Sequence, residues 1–67
     1  MSVAKVTEIT ASSTKSFEDA VKQGLVRAGK TLTGIQGAWI KEQKVKWSGS
    51  SISEYRVTMK VTFVLED

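Results

Sequence analysis

Between Tyr55 and Leu65 the chain alternates strictly. Tyr55, Val57, Met59, Val61, Phe63 and Leu65 share one parity, and Arg56, Thr58, Lys60, Thr62 and Val64 share the other. Successive side chains of a strand point to opposite faces, so this segment has one apolar face and one mostly polar face. β-Branched and aromatic residues dominate it, as a pleated, half-buried surface favours. It reads as the central strand of an antiparallel sheet.

Its length is a second constraint. From Glu54 to Leu65 an extended chain covers roughly 40 Å at about 3.3 Å per residue. A compact domain of this size has a radius of gyration of about 11 Å and a diameter near about 28 Å. The strand therefore overhangs its own domain. The expectation is that its apolar end, around Phe63 and Leu65, needs cover from a second copy.

Composition points the same way. At 67 residues one domain over residues 1–67 is expected, and a domain this small is marginal alone unless stapled or oligomeric. The chain has no Cys and no His. That removes disulfides and thiolate metal sites, along with the commonest metal ligand and general base. Oligomerisation is the remedy left. No segment reads as a signal peptide or a transmembrane span, and the absence of Cys fits a reducing compartment, so a cytoplasmic protein is expected. The net charge of +3 is mild; it allows contact with phosphates or nucleic acid and requires neither.

In chain order, Val3–Thr10 is rich in β-branched residues with a loose alternation, which suits an edge strand. Ser13 is the expected N-cap of a following helix. From Phe17 the period changes to 3.6, with Phe17, Ala20, Val21, Leu25, Ala28 and Leu32 on one stripe. Gly24 and Gly29 each cost helix stability and are either points of close approach to the sheet or tolerated surface residues, and Gly34 is the expected C-cap. A second strand follows over about Ala38–Trp47. Plain alternation puts Trp39, Lys41, Gln43, Val45 and Trp47 on one face and Ala38, Ile40, Glu42, Lys44 and Lys46 on the other. Ser48–Ser51 is a turn, so this strand and the long one form a hairpin. The fold class is α+β: β-α-β-β, a three-stranded antiparallel sheet wrapped on one amphipathic helix, with the long strand in the middle.

Chemistry is sparse. The serines sit in caps and turns, and nothing pairs Glu42 with Glu54 as catalytic carboxylates, so an enzyme is not expected. The second strand mixes cations with aromatics from Trp39 to Trp47. That combination can stack a base or another planar ring. The other reading is that Trp39 and Trp47 cover the outer sheet face or fill a subunit interface; it is favoured for Trp47 and stands level with stacking for Trp39. The low net charge and the lack of a known motif make a nucleic-acid module the least favoured reading.

Four stretches carry a family resemblance: Ala11-Ser12-Ser13 before the helix, Ala28-Gly29-Lys30-Thr31-Leu32 near its end, Ile40-Lys41-Glu42, and Glu54 through Glu66 with its alternating Val, Met, Val, Phe and Leu. Together they span nearly the whole chain, which resembles the dodecins. The resemblance implies a hollow homododecamer that binds flavins in pairs, stores them and quenches them against side reactions, without enzymatic activity. The implied ligand is FMN, FAD or riboflavin, or another small planar or anionic molecule.

The resemblance also marks departures. In flavin-binding dodecins a Trp early in the second strand stacks on the isoalloxazine ring; alignment on Ile40-Lys41-Glu42 puts Gly37 there. Trp39 lies two residues on, on the same side of the strand and about 6.6 Å further along. A Gln of the third strand that bonds the flavin ring is replaced by Arg56, which donates but cannot accept. A basic residue that some members carry before the terminal Leu-Glu is Val64. Lys44 keeps a cation where some members have an Arg near the flavin tail. The implied site is therefore Trp39, Arg56, Lys44, Glu42 and Gly37. A dodecin-fold cage that has lost flavin, and binds ions or small anions, is the alternative.

On this reading, sedimentation should give a particle of about twelve copies of the 7.3 kDa chain. A folded monomer at micromolar concentration would overturn the expectation.

Overall fold

The structure, a computed structural model, describes residues 3–65; Glu66, the last residue of the resemblance, lies outside them. The elements are β1 (Val3–Ser13), α1 (Phe17–Ala28), β2 (Ile35–Ser48) and β3 (Ser51–Leu65). The sheet order is β1-β3-β2, with both pairings antiparallel. The topology is the expected β-α-β-β, with the long strand central and β1 at an edge.

The alternation of β3 builds the core. Val57, Met59 and Val61 are fully buried and, with Ala20 of α1, form its centre. Ile9 and Ala11 of β1, Ile35 and Ile40 of β2, and Phe17, Val21 and Leu25 of α1 pack around them. Phe17 meets Tyr55 edge-on, with ring centroids 5.1 Å apart. At Gly24 the helix lies against the sheet. A Cβ there would sit 2.5 Å from Met59 Cε and 2.9 Å from Ala11 Cβ, so close approach is the correct reading of this glycine.

The helix ends differ from the sequence expectation. Ser16, not Ser13, is the N-cap; its Oγ accepts the Asp19 N–H at 3.0 Å. Ser13 instead ends β1, which runs three residues past Thr10. Its hydroxyl accepts from Lys15 N at 2.9 Å and donates to Asp19 Oδ2 at 2.5 Å, so it ties the loop to the first turn. The helix closes at Ala28 with Gly29 as C-cap in the right-handed region, and Leu32 lies in a trailing turn held by its N–H on Ala28 O. Gly34 is therefore not the cap. It has φ +74° and a Cβ there would meet Val64 O at 2.9 Å, so it turns the chain tightly into β2. Its carbonyl accepts from Val64 N at 2.9 Å.

The molecule measures 52 × 19 × 13 Å, with a radius of gyration of 13.8 Å. It is elongated, as the strand length implies, and apolar side chains are exposed at both of its ends. Phe63 is only 8% exposed, because β1 and β2 flank it through Lys5 and Ile35. Leu65 is 46% exposed beside its ladder partner Val3, also exposed, and a second exposed apolar group lies at the hairpin end: Val45, Trp47 and Ile52. The helix begins beside Tyr55, so the hairpin beyond it has no layer on it.

Two outcomes test this packing. Phe63→Ala should cost about 3–5 kcal/mol in a denaturant titration, as for a buried aromatic, and Thr62→Ala far less. Equal losses would mean that the strand faces are misassigned.

The second test concerns Asp19. The Ser13 hydroxyl, assisted by Gln23, Lys15 and Lys22, holds its carboxyl below the usual Asp value against a smaller opposing effect of burial. A depressed folded pKa stabilises the fold above the ordinary Asp value, and that contribution is lost as pH falls through the lowered one. Ser13→Ala should raise the Asp19 midpoint in an NMR titration. An unmoved midpoint would remove Ser13 as the cause.

Candidate functional site

The faces of β2 do not follow plain alternation. Its ladder with β3 pairs Ile40 with Met59 and then Glu42 with Thr58, so Lys41 is an extra residue between two rungs. Such a bulge shifts the face of every later side chain relative to the earlier ones. Directly paired residues of an antiparallel ladder share a face. Thus Ala38 and Ile40 sit with the core residues Val61 and Met59, while Trp39 sits opposite Lys60 on the other face. Beyond the bulge Gln43 and Val45 take the core side, and Glu42 and Lys44 join Trp39. The expected grouping of Trp39 with Gln43, Val45 and Trp47 is therefore corrected.

The face away from α1 now reads in rows from β1 across β3 to β2: Val6, Thr62 and Gly37; Glu8, Lys60 and Trp39; Thr10, Thr58 and Glu42; Ser12, Arg56 and Lys44. All five residues of the implied site lie on this face. Trp39 and Lys44 are two rows apart, about 13 Å along the sheet. The Trp39 indole is 66% exposed. A Cβ built on Gly37, one row away, meets nothing within 4 Å.

The charges of this face are mostly paired. Arg56 Nη2 lies 2.8 Å from Glu54 Oε2, Lys44 Nζ 3.7 Å from Glu42 Oε1, and Lys41 Nζ 3.3 Å from Glu8 Oε1. All three pairs are substantially exposed and contribute little stability. Thr10 and Thr58 join their hydroxyls at 3.3 Å, which closes the β1–β3 half of their row without a charge. Lys60 has no carboxylate partner among the described residues; its ammonium stands 5.4 Å from the Trp39 ring centroid. A shallow groove of about 240 Å³ runs along Lys44, Val45, Lys46, Glu54 and Arg56. A larger cavity of about 540 Å³ lies away from this face, between β1 and α1, where Ile9, Gly24 and Leu32 line it.

Sequence reasoning missed Lys60 as a site residue. It stands in the polar parity of β3, but only the ladder register shows that it adjoins Trp39.

The profile of the Dodecin family matches residues 3–66. The chain belongs to the dodecin family. A solved dodecin from Streptomyces davaonensis superposes with a TM-score of 0.94 at 29% identity, over 98% of this chain and 97% of that one. A single-residue mutant of the Thermus thermophilus dodecin superposes with a TM-score of 0.95 at 31% identity, over the full length of both. The Streptomyces coelicolor dodecin, at 23% identity and TM-score 0.93, shares the fold. No curated protein sequence matches the chain significantly. Among the described residues no helix is long and apolar enough to cross a membrane.

Proposed function

We propose that this dodecin binds and stores a flavin (FMN, FAD or riboflavin) in the cytoplasm, as a hollow homododecamer without enzymatic activity. The observation that carries the reading is the placement of Trp39, Glu42, Lys44 and Arg56 on one sheet face by the bulge at Lys41. An exposed indole beside the open space at Gly37 offers a stacking surface for a flat ring. Arg56 donates to ring acceptors and Lys44 pairs with a phosphate of the tail. Glu42 lies in the row between Trp39 and these two and supplies the acceptor that Arg56 lacks. Flavin brings the redox-active ring; these residues bind it, orient it and keep it covered.

Surface area supports assembly. A compact monomer of 7.3 kDa exposes roughly 4,200 Å². This chain exposes 4894 Å². The excess is close to the roughly 800 Å² that each partner gives to a standard interface.

A second reading, a flavin-free cage that holds small anions, is favoured by two observations. No side chain at Gly37 closes the stack, and Glu54 already engages Arg56.

Fluorescence titration with FMN and riboflavin separates the two. Stacking on an aromatic ring is worth roughly 1–3 kcal/mol by analogy with nucleobases. Trp39→Ala should therefore weaken binding about tenfold to a hundredfold. Gly37→Trp should strengthen it, and Arg56→Gln should add an acceptor; the two positions lie three rows apart, about 20 Å along the sheet, so their effects couple only through a ligand that spans both. No quenching by the unmodified protein, with quenching gained by the double variant, selects the flavin-free cage. No quenching by either removes flavin from the proposal.

A further inference from the structure

Among the described residues, Lys60 is the unneutralised cation in the rows around Trp39; Lys46, the other outer-face cation without a carboxylate within 4 Å, lies beyond Arg56 toward the hairpin tip. Among the described residues, every other cation in the rows from Glu8 to Arg56 has a carboxylate within 4 Å, including Lys41, which takes the Glu8 that pairs with Lys60 in the ladder. Lys60 has instead the face of Trp39, at 5.4 Å. That contact is an exposed cation–π interaction and therefore weak. Its stem is flexible, and the neighbouring row ends at Gly37, where nothing lies within 4 Å of a built Cβ.

A flat ring that settles on the indole competes with this ammonium. A neutral ring displaces it and gains no charge partner. A ring that carries a negative charge at its edge displaces it and then pairs with it. The displacement costs both rings alike, so discrimination rests on the charge pairing that only the anion gains. We propose that the Trp39 face selects planar aromatic anions, and that Lys60 is the residue that sets this charge preference. The inference deepens the flavin reading by naming the ligand class of the same face, but it does not need the ligand to be a flavin.

The test uses two probes with one ring, 2-naphthoate and 2-naphthamide, titrated calorimetrically into the assembled protein. Naphthoate should bind roughly fivefold to tenfold more tightly, the range for a partly exposed charged hydrogen bond. Lys60→Met, which keeps the stem and removes the charge, should abolish the difference. Lys60→Arg should retain it. Trp39→Ala should weaken both probes, and Trp47→Ala neither. Equal binding of the two probes by the unmodified protein overturns the proposal even if the variants fail to fold, as does a preference that survives Lys60→Met. A riboflavin titration in parallel separates the two ideas: naphthoate preference without riboflavin binding sinks the flavin reading and leaves the anion site standing.

Discussion

The structure depends on one strand being paired on both edges. β3 pairs with β1 over Tyr55–Leu65 on one side and with β2 over Ser51–Phe63 on the other, so Tyr55–Phe63 is held on both edges. Its period-2 pattern cannot slip, because a shift of one residue would move Val57, Met59, Val61 and Phe63 into water. Once that register holds, α1 has only one apolar surface to cover. Gly24 brings the helix close enough for Ala20 to be buried against it, which a longer side chain would prevent. The same constraint fixes the opposite face, where Arg56, Thr58, Lys60 and Thr62 must then point.

The pairing of β2 shows where sequence pattern stops being sufficient. The alternation of β3 is long and strict, so its faces are legible at once. β2 carries few core-facing apolar residues, and its cations suit either face, so nothing in its sequence marks Lys41 as an extra residue. The bulge is visible only once Ile40 is set against Met59 and Glu42 against Thr58. Trp39 and Lys44 lie on opposite faces by plain alternation, yet the resemblance places both at one ligand. The bulge removes that conflict. The misplaced caps have a similar origin. Ser13 and Ser16 are equally good capping residues, and what distinguishes them is that β1 runs on to Ser13 to pair with Tyr55, a long-range contact.

Charge arrangement on the outer face follows from the same register. Cross-strand rows put Arg56 beside Lys44. Each cation is then relieved by a carboxylate nearby in its own strand, Glu54 for Arg56 and Glu42 for Lys44. Where the family has a Gln that both donates and accepts, this chain has a donor already engaged. A ligand that uses Arg56 must share it with Glu54 or displace that carboxylate, so part of the interaction is spent before binding begins.

On the proposed function, the long hairpin links the site to assembly. A sheet that ended with its helix would bury β3 fully but would leave no room for Lys44, Lys46, Glu54 and Arg56 as a polar groove. By running beyond α1, β2 and β3 present that groove on one side and leave Val45, Trp47 and Ile52 exposed around the same tip. The exposed apolar residues are a cost to an isolated chain and a gain to a self-associating one, since burial against a neighbour returns roughly 25 cal/mol per Å² of apolar surface. On the proposed function, the overhang that carries the groove is covered by neighbouring copies, and the binding face and the assembly depend on the same stretch of backbone.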